Sequence, residues 1–110
     1  MERYEDIVEK LNEYISVKDN GLVEKKLSVG EMTFIQLRDR LLGNGKILEE
    51  DFDKQIYVIS VLAGAANMNT AVVGVKLVNQ ELHFAAYAKE GLIKQHTAEK
   101  AIEKLLKVLK

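Results

Sequence analysis

Two histidines, His83 and His96, and an acidic run of Glu49, Glu50, Asp51 and Asp53 are the side chains best suited to moving protons or holding a cation. His83 alternates with Glu81 and Tyr87 along a run that reads as a strand. Its expected cross-strand neighbour is Lys76 rather than a carboxylate, so no acid orients its second nitrogen as a general base requires. The reading is a surface histidine. His96 stands more than ten residues away in the sequence, with no third ligand at metal spacing. The acidic run lacks the alternation of oxygen ligands that wraps a calcium ion and reads as a solvated turn or helix start. Gly43 to Lys46, GNGK, lacks the preceding buried strand, the glycine spacing and the following hydroxyl of a phosphate loop. The chain has no cysteine, which excludes thiolate nucleophiles, thiolate metal sites and disulfides. No catalytic residue, metal or cofactor is assigned.

One loop has the composition of a pocket rim. Gly64 to Thr70, GAANMNT, joins two apolar runs and offers two amides and a hydroxyl with little bulk around them. Asn67, Asn69 and Thr70, with His83, are the candidate ligand-binding residues. The same four would serve a small enzyme, the alternative reading. The plainer account of the letters is an ordinary connection whose asparagines satisfy their own turn.

The element that positions these groups is an antiparallel hairpin from Ala71 to Ala88. With Asn79 and Gln80 as a two-residue loop, Leu77 faces Leu82, Val75 faces Phe84, Val73 faces Ala86 and Ala71 faces Ala88, so one face is wholly apolar. A one-residue slip would put Glu81, His83 and Lys89 on that face instead. A helix from about Thr97, with Thr97 as its N-cap, carries the stripe Ala98, Ala101, Ile102, Leu105, Leu106, Leu109 that covers it. At the other end Tyr4, Ile7, Val8, Leu11, Tyr14 and Ile15 line one side of a helix ending near Val17.

Between these, residues 22–29 alternate as an exposed edge strand, and 55–64 are apolar on both alternating sets, as in a strand buried on both faces. Residues 31–42 fit helix or strand. Ser28 with Glu31 resembles a capping box and Gly43 a helix stop, yet Arg38 would interrupt the apolar arc of Phe34, Ile35, Leu37, Leu41 and Leu42. The fold class is α+β: an antiparallel sheet of four to five strands with N- and C-terminal helices on it, in the order α-β-(α or β)-β-β-β-α, within a single domain.

The outer face of the hairpin is also apolar or small, at Val72, Gly74, Val78, Ala85 and Tyr87. One terminal helix cannot cover both faces. A second copy of the chain docked through Val72, Gly74, Ala85 and Tyr87 would bury it, as would the first helix of the same chain.

Charge bears on partners too: residues 1–53 hold 8 Lys/Arg against 13 Asp/Glu and residues 54–110 hold 8 against 4, for a net charge of −1. No basic excess suits a nucleic acid. The 21 uncharged residues between Lys54 and Lys76 match a bilayer span in length, but Gly64, Asn67, Asn69 and Thr70 interrupt them, and strand, loop, strand accounts for the stretch. MERYEDIVEK has neither a basic n-region nor an apolar h-region, which points to the cytoplasm. The expectation is a small cytoplasmic interaction or ligand-binding module acting as a homodimer.

Overall fold

The computed structural model describes residues 2–18, 21–64, 66, 68–90 and 96–109. Along the chain run α1 (Glu2–Leu11), β1 (Val23–Ser28), α2 (Phe34–Leu42), β2 (Lys46–Asp51), β3 (Ile56–Ala63), β4 (Asn69–Val78), β5 (Glu81–Ala88) and α3 (Thr97–Leu109). All five strands form one antiparallel sheet in the order β1-β5-β4-β3-β2. The α+β class and the element order agree with the sequence reading.

The register of β4 on β5 is the expected one, with Leu77 opposite Leu82, Val75 opposite Phe84, Val73 opposite Ala86 and Ala71 opposite Ala88. Asn79 and Gln80 turn the chain at φ 46° and 67°. Two positive φ angles give a two-residue turn the right-handed twist of the strands it joins.

One face of the sheet carries the larger core, where Tyr57, Ile59, Val61, Val73, Val75, Leu82, Phe84 and Ala86 meet α2 and α3. Residues 31–42 are resolved as helix from Phe34. Its cap is Thr33 with Gln36 rather than Ser28 with Glu31: Gln36 N–H donates to Thr33 Oγ1 at 3.1 Å, and Thr33 N–H to Gln36 Oε1 at 2.9 Å. Ser28 is unsuited because it ends β1. The buried stripe is Phe34, Leu37 and Leu41, so Arg38 lies outside it and bonds Glu50 at 3.1 Å. Tyr57 fixes the helix start, donating its hydroxyl to Phe34 O at 2.6 Å while its ring stacks on that of Phe34 at 4.0 Å.

The other face holds a smaller core in which Ile7 and Leu11 of α1 cover Ile56, Val58, Val72 and Ala85. The outer hairpin face therefore receives the first helix of its own chain. Val72, Gly74 and Ala85 are buried there and Tyr87 half-buried, so a second copy could reach the first three only after α1 had left. α1 is also shorter than the apolar spacing predicts. It stops at Leu11, and Asn12 Oδ1 accepts Val17 N–H at 3.0 Å across the turn that follows.

Residues 46–51 also depart from the expectation. They form a strand, β2, rather than a solvated turn or helix start. A bulge between Ile47 and Glu49 lets Ile47 pack toward α2 and α3 while Leu48 and Glu49 both serve the α1 side. The charges suit an edge strand, which one neighbour alone covers. The uncharged stretch 55–75 is β3, a connection and part of β4, and no helix among the described residues is long and apolar enough to cross a membrane.

Candidate functional site

The residues singled out in the sequence do not gather around one cavity. Asn69 begins β4 on the α3 side, where its Nδ2 donates to Thr97 Oγ1 at 3.0 Å and, at 3.4 Å, to Lys89 O. Thr70 follows on the opposite face, exposed, its N–H donating to Asn69 Oδ1 at 3.0 Å. His83 pairs with Lys76, six positions along β4 from Thr70, which at the rise of an extended strand is about 20 Å. Asn67 lies outside the described residues. Asn69 thus joins the packing of α3, while Thr70 and His83 sit far apart.

His83 is also not a surface histidine. It is 1% exposed, because α1 lies over the face on which it was expected to be wet. The Tyr4 ring meets it edge to face with centroids 5.7 Å apart, and its Nε2 stands 3.4 Å from Glu81 Oε1. Thr97 likewise lies one position inside the helix it was expected to cap. Buried, it donates its N–H at 2.9 Å and its hydroxyl at 3.2 Å to the Glu90 carboxylate, so Glu90 neutralises the α3 N-terminus.

The surface most suited to a ligand comes from residues the sequence reading used only as helix and edge strand. α1 crosses β4 and β5 and stops short of β1, leaving an open groove of about 540 Å³. Tyr4, Val8 and Leu22 give it an apolar floor, and Glu5, Asp6, Glu9, Asn12 and Glu24 line its walls. Tyr4 closes one end, its hydroxyl donating to Lys25 O over a long 3.4 Å. Every charged residue of the lining is a carboxylate. Lys76 bonds Asp6 at 2.7 Å and holds its carboxyl below the usual range, while Glu9 and Glu24 of the lining are exposed.

The opposite flank of α1 explains why the groove stays on the β1 side. Lys10 Nζ bonds Glu49 Oε2 at 2.5 Å and Asp51 Oδ2 at 2.9 Å, and Tyr14 donates its hydroxyl to Glu49 Oε1 at 2.8 Å. These contacts tie α1 toward β2. The hydrogen bonds from Lys10 push the Glu49 and Asp51 carboxyls down, and the bond to Glu49 pushes the Tyr14 phenol up. A signal for the groove was present in the sequence. Glu5, Glu9 and Asn12 recur at helical spacing beside the apolar stripe, and Leu22 and Glu24 share a face of the next strand.

Among the described residues no group of three or more His, Asp or Glu side chains is arranged to hold a metal ion. Compared with protein-family models, with curated proteins and with solved structures, the chain matches none. Its function is read from its own residues.

Proposed function

We propose that this protein is a binding module that takes a cationic, partly apolar segment of a partner protein into the groove between α1 and β1. The observation that carries the reading is the lining: four carboxylates, no cationic residue, and an apolar floor at Tyr4, Val8 and Leu22. Such a surface favours Lys or Arg side chains whose aliphatic stems lie on the floor while their charged ends reach the acids. Glu9 and Glu24 are exposed, so their charges act on a cation approaching from solvent.

The test is fluorescence anisotropy with a labelled eight-residue peptide of alternating Lys and Val, beside one of alternating Glu and Val. The Lys peptide binds at low salt, weakens as ionic strength rises and loses about fivefold or more in affinity on Glu9→Lys, while the Glu peptide stays unbound. Equal binding of both peptides, or indifference to Glu9→Lys, overturns the reading.

A further inference from the structure

β1 is an edge strand that pairs with β5 on one side and, among the described residues, with no strand on the other. Charges on an edge strand normally keep other strands away. The opposite edge follows that rule, since β2 presents Glu49, Glu50 and Asp51 in succession and is broken by its bulge. β1 is different because its charges are matched to an inverted copy of itself. Its sequence VEKKLS puts Glu24 and Lys26, two residues apart, on the α1 face. Val23 and Leu27, both packed against the larger core, share the other face with Lys25.

When the strand is laid antiparallel on its own copy about Lys25, Glu24 falls opposite the partner's Lys26 and Lys26 opposite the partner's Glu24. On the other face Val23 meets the partner's Leu27, and Leu27 the partner's Val23. Opposite charges and apolar pairs placed directly across two strands are the contacts that stabilise a sheet. Lys25 alone meets its own kind, and it is exposed. Registers centred on Glu24 or on Lys26 set two carboxylates or two ammonium groups face to face, so the pattern selects one alignment.

We propose that a second copy of the chain pairs with β1 in this two-fold register, joining two five-stranded sheets into one of ten strands. A self-complementary patch of this kind closes on itself as a dimer rather than propagating. The self-association expected from the sequence then belongs to the sheet edge, while the hairpin face belongs to α1. The proposal deepens the binding reading and rests on it for the use of the surface it creates. With α1 of each copy over β4 and β5, the helices stand about four strand spacings, or roughly 19 Å, apart. The two grooves then meet along the joined β1 strands as one trough, in which Glu24 is engaged by the partner's Lys26 and exposed Glu9 attracts the cation.

Sedimentation equilibrium of the full chain up to about 100 µM tests the pairing. The native chain is a dimer, Glu24→Lys and Lys26→Glu each weaken it about tenfold or more, and the double exchange restores it by rebuilding both ion pairs in reverse. Unchanged thermal unfolding of the single variants shows that the monomer fold is intact. A native chain that stays monomeric overturns the proposal, as does a dimer indifferent to both single exchanges or a double exchange without recovery. A monomer that still binds the Lys peptide leaves the groove reading standing, and a dimer that ignores the peptide removes that reading alone.

Discussion

Ile7 of α1 stands so close over Gly74 of β4 that a Cβ built on that glycine would overlap the isoleucine Cγ2. The helix approaches the sheet at its one residue without a side chain, and Ala85, directly across from Gly74, extends the shallow seat.

Gly74→Ala is expected to destabilise the protein by about 1–3 kcal/mol, because the added methyl meets fully buried Ile7, a β-branched side chain that is stiff at χ1. Ile7→Ala removes the overlapping methyl. The double variant should therefore lose less stability than the two single losses together, and urea unfolding of the four proteins measures that coupling.

Phe84 is fully buried at the centre of the larger core, opposite Val75. Its replacement by Ala is expected to cost about 3–5 kcal/mol in chemical denaturation. A cost below about 1 kcal/mol would contradict the observed burial.

Stability should fall at both ends of the pH range. Asp6, Glu49 and Asp51 bond lysines, which holds their carboxyls below the ordinary 3.8, 4.5 and 3.8. Their contribution is complete above those values and is lost as pH falls through the lower folded ones. Lys10→Met removes the cation that bonds two of them, and a flatter acid limb in urea midpoints against pH is the expected result.

On the alkaline side, burial raises Tyr57 from 10.0 to about 12. The unfolded chain gives up this proton first, so stability is complete below pH 10 and declines toward 12, by about 2–3 kcal/mol. Tyr57→Phe costs about 1 kcal/mol near neutrality through the lost bond to Phe34 O. The same variant should lack the tyrosine share of the alkaline decline.

Glu90 accepts both the N–H and the hydroxyl of Thr97. Glu90→Ala leaves buried Thr97 without that carboxylate and is expected to lower stability by about 1–2 kcal/mol. Thermal unfolding checks it, and an unchanged midpoint would remove Glu90 as the cap of α3.

The sequence alone determined the features that depend on neighbours close along the chain. The alternation from Ala71 to Ala88 admits one register, since a slip turns Glu81, His83 and Lys89 onto the face that α3 covers, and that register is the observed one. The apolar stripe of α3 and the edge position of β1 were legible for the same reason. Tertiary structure decided whatever depended on a distant segment. Whether His83 is wet or buried turns on α1, more than seventy residues upstream, and no local pattern carries that information. The acidic run 49–51 looked like a turn because Glu49 and Asp51 are satisfied by Lys10 of α1 and by Tyr14 just beyond it, across more than thirty residues. Asn69, Thr70 and His83 were grouped by type, but the pleat sets Asn69 and Thr70 on opposite faces and strand length separates Thr70 from His83. The groove arises only where α1 and β1 come side by side. Each contributes a pattern that reads on its own as a solvated face, and their approach across the sheet makes the two faces one surface.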